Sequence, residues 1–116
     1  MIYLLSYGFK FGRPPANFAF DVSYLKNPWR EKKLRHGKKK EILKFMREQK
    51  EFNAIVNLAV IVISAYSKMF PGEKMVFAFC CSASEYRSPA VVEEVSIKLK
   101  EKKVAHKIIK NNNSMI

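Results

Sequence analysis

A continuous apolar run followed by a short polar loop constrains the fold more than any other feature of this chain. Met75–Phe79 contains no polar residue, which is typical of a strand buried on both faces of a parallel sheet. Pro89 suits the first turn of a helix, which we expect to continue to about Lys102. Val104–Ile109 then predicts a last strand. The segment from Met75 to Ile109 therefore predicts a right-handed strand–helix–strand crossover in a parallel part of a sheet.

The residues before this crossover predict two strands and two helices. The strands are expected at 2–6 and 18–22, a short helix at 42–46, and a longer helix at 51–70 that Pro71-Gly72 ends. The longer helix is apolar nearly all round, so we expect it to pack on two sides. Its core stripe is expected to consist of Ile55, Leu58, Ala59, Val62, Ala65 and Tyr66. The chain is thus predicted to be an α/β protein with a mixed sheet of about four strands and three helices. One domain should cover residues 1–110, followed by a loose tail at 111–116.

The lengths of the apolar segments and the small number of cysteines exclude several classes of protein. The apolar start, residues 1–6, lacks a preceding basic segment and is interpreted as a strand and not as a leader. The uninterrupted apolar part of the longer helix, 58–63, is far shorter than the roughly 20 residues that span a bilayer. The only cysteines, Cys80 and Cys81, are neighbours, which gives neither a disulfide framework nor a metal-binding spacing. We expect a cytoplasmic protein without membrane contact, metal or cofactor.

Positive charge is concentrated in two segments. The chain has 22 Lys and Arg against 10 Asp and Glu, a net charge of +12. Residues 26–50 contribute 11 cations against 3 anions, and residues 98–110 contribute 6 against 1. On one shared face these segments would bind RNA phosphates, whereas on separate faces they would simply be solvated. The candidate RNA-binding residues are Lys32, Lys33, Arg35, Lys38, Lys39, Lys40, Lys98, Lys102, Lys103 and Lys107.

The loop after the central strand has the composition of an anion-binding cradle. Small residues there allow backbone N–H groups to converge, and a helix N-terminus adds a partial positive charge. Arg87 supplies a bidentate fork, and serine hydroxyls add further donors. The candidate ligand-binding residues of this loop are Cys81, Ser82, Ala83, Ser84, Arg87 and Ser88. The alternative is that the serines only cap the helix while Arg87 pairs with Glu93 or Glu94.

The same loop also fits the pattern Cys-x5-Arg-Ser of cysteine-dependent phosphatases. In that chemistry the thiolate of Cys81 would attack phosphorus and Arg87 would hold the phosphoryl oxygens. Asp21, the only aspartate, would be the general acid at the end of another strand. The competing interpretation makes Cys81 a small buried apolar residue. A third function class, an interaction or oligomerisation domain without a ligand, also remains open.

Several motifs in register resemble one known family. Ser6-Tyr-Gly-Phe-Lys-Phe-Gly12 resembles its Ser-Phe-Gly-Phe-Lys-x-Gly, and Phe20-Asp-Val-x-x-Leu-x-Asn-Pro28 resembles its Phe-Asp-Val-Arg-Phe-Leu-Pro-Asn-Pro. Leu34-Arg35 falls at the matching distance, and Cys81–Ser88 resembles its Cys-Thr-Gly-Gly-x-His-Arg-Ser. These motifs cover about residues 2–109 and are those of the C-terminal domain of the RapZ family of RNase adapter proteins.

The resemblance implies a regulatory module that is not an enzyme. In that family the domain binds RNA, contributes to oligomerisation and senses glucosamine-6-phosphate, and the full-length protein presents a small RNA to an endoribonuclease. The implied partners are therefore RNA, a small phosphorylated ligand, an endoribonuclease or a full-length relative, and a second copy of the chain. Lys10 and Asn27, inside the matching motifs, join the candidate ligand-binding residues.

The sequence also departs from the family in places. Because no P-loop motif G-x-x-x-x-G-K-[ST] is present, we expect a freestanding domain without nucleoside triphosphate hydrolysis. Ala83 and Ser84 stand where the family motif has two glycines, Tyr86 and Trp29 where it has histidines, and Ser23 where it has an arginine.

Overall fold

A computed structural model describes residues 1–116, and the chain folds around one four-stranded sheet. The strands are β1 (Ile2–Gly8), β2 (Phe18–Asp21), β3 (Met75–Cys81) and β4 (His106–Ile108). The helices are α1 (Lys39–Arg47), α2 (Lys50–Met69) and α3 (Arg87–Glu101). Short 3-10 turns lie at Phe9–Phe11, Pro28–Arg30 and Lys32–Leu34. The predicted α/β class, with four strands and three helices, is confirmed.

The sheet is parallel throughout and not mixed. Its order is β2-β3-β1-β4, and each of the three pairings is parallel. β3 lies inside the sheet, as its apolar sequence predicts. The nine residues 9–17 return from the end of β1 to the start of β2, fewer than the dozen that parallel crossovers usually need. This segment contains Pro14-Pro15 and no α-helix, so the sequence carries no crossover signal there.

All three helices pack on one face of the sheet. Alternate strand residues such as Leu4, Phe77 and Phe79 are fully buried in the same apolar cluster as residues from each helix. The opposite face has a small cluster around Leu5, Ala78 and Cys80, against which parts of the 9–17 segment and Ile109 pack. The helical face therefore supplies most of the stabilising burial, and the carboxyl edge of the sheet remains available for a site.

The longer helix, α2, packs on one side only. Its buried residues are Phe52, Val56, Ala59, Val60 and Ile63. Four residues of the expected core stripe do contact the core: Ala59 is buried, and Ile55, Val62 and Tyr66 are partly buried. Leu58 is 51% exposed and Ala65 is also exposed, so the buried stripe is rotated from the expected one by part of a turn. By length and composition alone α2 would also qualify as a membrane span, a test that core helices pass too, and 28% of the relevant window is buried in the domain.

The last residues, 111–116, contact the loop that follows β3. The side-chain amide of Asn111 donates to Ser6 Oγ at 2.6 Å and to Ser84 Oγ at 2.7 Å. The backbone N–H of Met115 donates to the carbonyl oxygen of Glu85 at 2.8 Å. Ile116 packs against the main apolar cluster. In the structure this segment therefore supports the loop through hydrogen bonds to Ser84 and Glu85.

Candidate anion-binding site

The carboxyl ends of three parallel strands meet at one edge of the sheet. Gly8 of β1 lies beside Cys81 of β3, and Asp21 of β2 lies beside Cys80. A Cβ atom on Gly8 would lie 2.9 Å from the carbonyl carbon of Ala83, so only glycine lets the loop approach this closely. The loops that follow the three strands are therefore brought together where α/β proteins bind ligands.

A cleft of about 510 Å³ opens at this edge. Its walls come from the segment after β2, from α1 and from the start of α3. The lining residues are Ser23, Tyr24, Leu25, Lys26, Asn27, Arg30, Glu31, Phe45, Ser82 and Arg87. Three of them are cations and one is an anion, so the cleft has a net positive charge. A smaller hollow of about 100 Å³ adjoins it and shares Asn27, Ser82 and Arg87 with it.

The guanidinium of Arg87 lies in the wall of both hollows. Nη1 donates to the carbonyl oxygens of Ser23 and Leu25, and Nη2 donates to Ser82 Oγ at 3.0 Å. An arginine side chain has five N–H donors, so these three bonds leave two for a ligand. Arg87 therefore holds the segment after β2 against the loop and still has donors to offer.

The positive charge of Arg87 is not neutralised by a carboxylate. Glu93 forms its ion pair with Lys39 at 2.9 Å, and Glu94 forms its pair with Arg47 at 2.6 Å. These are the only two salt bridges in the chain. The alternative in which Arg87 pairs with Glu93 or Glu94 is therefore wrong, because both acids are taken by cations of α1.

The backbone of the loop offers a run of N–H groups. The amides of residues 82–88 donate to no backbone or side-chain acceptor of the protein. The first turn of a helix leaves such donors unpaired, and here the preceding loop adds more. The α3 N-terminus also contributes a partial positive charge beside the guanidinium. The loop is thus electropositive through both its backbone and its side chain.

Three of the predicted ligand-binding side chains face the interior. Cys81, Ser84 and Ser88 are buried, and the Cys81 thiol donates to Ser88 Oγ at 3.3 Å. Ser84 Oγ and Ser88 Oγ share a hydrogen bond of 3.0 Å. Ser84 has φ of 60°, the left-handed conformation, where the family motif has glycine. These side chains hold the loop from the interior of the domain, and Ser82 is the serine that lines the cleft.

The two residues added from the family motifs lie in different places. Asn27 lines both hollows, and its Oδ1 accepts the backbone N–H of Trp29 at 3.1 Å. The ammonium of Lys10 lies 5.1 Å from the ring centroid of Phe11, and Lys10 lines neither hollow. Its backbone N–H instead donates to the carbonyl of Ser82 at 3.1 Å, so Lys10 positions the loop through its main chain.

The phosphatase alternative depends on Cys81 and Arg87, which line the same small hollow, but the Cys81 thiol is buried and donates to Ser88 Oγ. Cys81 is 2% exposed, whereas a nucleophilic cysteine has to reach its substrate as a thiolate. Burial, with Asp21 and Cys81 nearby, raises the pKa of the neighbouring Cys80 to about 11, so that thiol stays protonated. Asp21 Oδ1 accepts hydrogen bonds from the backbone N–H and the hydroxyl of Ser23, at 2.9 and 2.5 Å.

A pair of tilted aromatic rings closes one side of the smaller hollow. The ring of Trp29 lies 6.4 Å from that of the buried Tyr86, and the guanidinium of Arg35 lies 4.4 Å from the Trp29 ring. Arg35 Nε also donates to the carbonyl of Trp29 at 2.6 Å. Trp29 and Tyr86, which replace family histidines, thus fix the 3-10 turns against the loop.

The predicted RNA-binding residues form two separate groups. The first group lies in the 3-10 turn at Lys32–Leu34, the segment after it and the first turn of α1, directly after the cleft residues Arg30 and Glu31; it consists of Lys32, Lys33, Arg35, Lys38, Lys39 and Lys40. Lys102 and Lys103 lie beside Met1 and Ile2, at the amino end of the sheet. From its first residue to its last, α3 spans about 22 Å between the cleft and the end of the domain where Lys102 and Lys103 lie. Lys98 lies between the two groups, because its charge acts on Glu94 one turn before it on α3, whereas Lys107 lies on β4.

Sequence reasoning missed three residues that build the cleft. Lys26 and Arg30 line it, and the buried Gln49 accepts the Lys26 backbone N–H through Oε1 at 2.9 Å. Lys26 and Arg30 lay within the basic segment 26–50, but charge alone did not separate them from their neighbours. No sequence signal marked Gln49, because its role depends on a contact across 23 residues.

Comparison with known proteins identifies the family. The sequence model of the RapZ C-terminal domain family matches residues 1–113 of this chain. A nucleotide-binding protein of Caldicellulosiruptor saccharolyticus is 31% identical over 102 residues, which cover 82% of this chain and 34% of the relative. A nucleotide-binding protein of Clostridium novyi is 33% identical over 123 residues, which cover 99% of this chain and 40% of the relative. The chain spans between a third and two fifths of the length of these relatives. It belongs to the RapZ C-terminal domain family.

Proposed function

We propose that this domain is a regulatory module that binds a small phosphorylated ligand in the cleft at the carboxyl edge of the sheet. The observation that carries the proposal is the arrangement around Arg87. An unneutralised guanidinium with two remaining N–H donors lies beside a run of unpaired amides, at the wall of a cleft that Lys26 and Arg30 also line. Phosphate oxygens accept hydrogen bonds from all three kinds of donor.

The ligand chemistry that best fits this cleft is a sugar phosphate. Its volume of about 510 Å³ exceeds what a phosphate alone would fill. Tyr24, Asn27 and Glu31 add a ring, an amide and a carboxylate that suit hydroxyl and amino groups. The family resemblance points to an amino-sugar phosphate, which would place its ammonium near Glu31. No residue of the cleft is arranged as a nucleophile, so we propose binding and not turnover.

Calorimetric titration tests the ligand site. Glucosamine-6-phosphate, glucose-6-phosphate and inorganic phosphate are titrated against the unmodified chain and against Arg87→Lys, Arg87→Ala and Arg13→Ala. Arg13 is an exposed arginine that lines neither hollow, so its variant controls for lost charge. We expect Arg87→Ala to weaken binding about 10- to 100-fold, as charged hydrogen bonds of about 1.5–3 kcal/mol are lost. Equal affinities in Arg87→Ala and Arg13→Ala would refute the site.

The name of the relatives suggests nucleotides as a second class of ligand for the same titration. They are called nucleotide-binding proteins, but this chain spans only 34 to 40% of those described above. Titration with ATP and GTP shows whether this part of the relatives is the part that binds a nucleotide. Binding that competes with glucosamine-6-phosphate and is lost in Arg87→Ala would assign the nucleotide to the cleft.

We also propose that the basic segment beside the cleft binds RNA phosphates. Of the 22 Lys and Arg residues, only Lys39 and Arg47 form ion pairs with carboxylates, so most of the positive charge faces solvent. The group beside the cleft would couple RNA binding to the ligand, which is the behaviour of a regulatory adapter. A cytoplasmic location and an endoribonuclease or full-length relative as partner follow from this proposal.

Fluorescence anisotropy with a labelled stem-loop RNA tests this second part. We expect affinity to fall steeply with salt, and each lost phosphate contact to reduce the logarithmic slope by about 0.7–0.9. Paired variants separate the two groups, Lys38→Ala with Lys40→Ala beside the cleft and Lys102→Ala with Lys103→Ala at the far end. A salt-independent affinity, or an effect confined to the far pair, would contradict the proposal.

A further inference from the structure

The segment 111–116 holds the middle of the loop after β3 by its carbonyl oxygens. The side-chain amide of Asn111 donates to the carbonyl oxygen of Ser84 at 3.0 Å, and the backbone N–H of Met115 donates to that of Glu85 at 2.8 Å. No other group of the protein donates to either oxygen. The directions of these two carbonyl groups are therefore set by the segment 111–116.

The same two peptide units carry amides that face the other way. A planar trans peptide unit directs its N–H to the side opposite its C=O. Because the carbonyls of Ser84 and Glu85 are directed toward the segment 111–116, the N–H groups of Glu85 and Tyr86 are directed away from it. Both N–H groups are unpaired, and both residues line the smaller hollow beside Arg87. No residue of the segment lines either hollow, so the segment orients these amides without occupying the place of a ligand.

Asn111 is itself anchored to the sheet. Its side-chain amide also donates to Ser6 Oγ of β1 at 2.6 Å and to Ser84 Oγ at 2.7 Å, and its Oδ1 accepts the backbone N–H of Asn113 at 2.9 Å. Ser6 and Ser84 are both buried, and Ser84 has φ of 60°. A non-glycine residue keeps this left-handed conformation only where its surroundings hold it. Asn111 thus connects the strained position of the loop to a strand that does not move.

We propose that Asn111 is a positioning residue for the anion site, and that docking of the segment 111–116 and binding of a phosphate group favour each other. This inference rests on the proposed function, because it concerns the same cradle of amides. With the segment docked, a phosphate meets the N–H groups of Glu85 and Tyr86 already oriented. With the segment released, the phosphate has to order these peptide units itself, which weakens binding. By linkage, the ligand then stabilises the docked segment by the same factor.

Titration of positioned and released forms tests the effect on the ligand. Glucosamine-6-phosphate and inorganic phosphate are titrated against the unmodified chain, Asn111→Ala and Asn112→Ala. Asn112 is exposed and its side chain forms no hydrogen bond, so its variant makes the same chemical change one residue away. We expect Asn111→Ala to weaken the binding of both ligands about 5- to 20-fold, near the effect of one charged hydrogen bond. A purely structural role would lower the urea midpoint without changing the affinity of the folded chain.

Hydrogen exchange of the unmodified chain tests the effect of the ligand on the segment. The amide of Met115 reports docking, because it donates to the carbonyl of Glu85. Saturating glucosamine-6-phosphate should slow its exchange by about the factor that Asn111→Ala costs in affinity. The amide of Lys103, which donates to the carbonyl of Lys100 at 3.0 Å beyond the far end of α3, controls for general stabilisation and should not change. Arg87→Ala at the same ligand concentration should show no slowing.

The outcomes separate this coupling from the ligand site itself. Equal affinities in Asn111→Ala and Asn112→Ala, with binding lost in Arg87→Ala, would overturn the coupling and leave the site in place. Exchange of the Met115 amide that the ligand does not slow would overturn it equally, and needs no variant of the segment. If Asn111→Ala weakened glucosamine-6-phosphate but not phosphate, the orientation of the amides would not be its role. No binding by the unmodified chain would remove the proposed function and the coupling together.

Discussion

The ion pair between α1 and α3 gives the stability prediction with the most direct structural basis. Glu94 is buried, and its two carboxylate oxygens accept from Arg47 Nε at 2.6 Å and from Arg47 Nη2 at 2.8 Å. We expect Glu94→Gln, which keeps the shape but removes the charge, to lower the free energy of unfolding. Charged hydrogen bonds contribute about 1.5–3 kcal/mol, and the Arg47 side chain is 46% exposed and can be solvated once unpaired. The expected loss is therefore about 2 kcal/mol, or roughly 8 °C in Tm.

The pKa of Glu94 determines how the stability difference between the unmodified chain and Glu94→Gln changes with pH. The hydrogen bond from Arg47 lowers the pKa of Glu94 below its ordinary value of 4.5. A carboxyl group with a lowered pKa in the folded state contributes its stability above the unfolded pKa and loses it as pH falls through the folded pKa. The difference between the unmodified chain and Glu94→Gln should therefore be constant from about pH 6 to pH 8 and shrink below about pH 4.

Urea denaturation followed by the fluorescence of Trp29 measures both effects. Glu93→Gln is the matched control, because its ion pair with Lys39 is more exposed and should contribute less than about 1 kcal/mol. A double-mutant cycle with Arg47→Met isolates the coupling between the two side chains. If Glu94→Gln were as stable as the unmodified chain at pH 7, or if the difference persisted at pH 3, the ion pair would not hold α1 against α3.

Two further predictions concern the loop and the segment behind it. Asn111→Ala should lower the free energy of unfolding by about 1 kcal/mol, because it removes the hydrogen bonds to Ser6 and Ser84. No change in the same urea experiment would instead indicate a loose tail at 111–116. Ser84→Gly should be more stable than Ser84→Ala by about 1 kcal/mol, because glycine relieves the left-handed backbone while both variants lose the hydroxyl. Position 67 of α2 is the control, because Ser67→Ala should be more stable there than Ser67→Gly by about 1 kcal/mol. If the alanine variant were also the more stable one at position 84, the backbone argument would be contradicted.

The α/β class was predictable from sequence because its strongest signals are local. The apolar run of β3, Pro89 in the first turn of α3 and Pro71-Gly72 after α2 each mark an element or its end within a few residues. The parallel return between β1 and β2 was not predictable, because nine residues without an α-helix give no crossover signal. Local sequence signals therefore predicted the individual elements, but they did not predict the parallel connection between β1 and β2.

The orientation of α2 shows where periodicity fails. A helix that is apolar on nearly every side has no single stripe that stands out, so the pattern does not tell which face meets the sheet. Phe52, Val56 and Ile63 are fully buried, while Leu58 and Ile61 are the exposed pair. The excess of apolar residues was itself informative, because a second apolar face is costly to expose unless something covers it.

The family motif accounts for the loop through its backbone more than through its individual side chains. Where the motif has glycine, Ser84 adopts the left-handed conformation, and its hydroxyl is held by Ser88 and Asn111. A bonded serine can thus occupy a position that favours glycine, because its hydrogen bonds offset the backbone strain. The loop, and with it the direction of the amides after β3, is thus held in a conformation that glycine would adopt without strain. Arg87 adds to this, since its bonds to the segment after β2 hold both walls of the cleft together. Comparison of single positions would count Ser84 as a departure from the motif, whereas its left-handed backbone and hydrogen bonds show that this serine occupies a conformation that favours glycine.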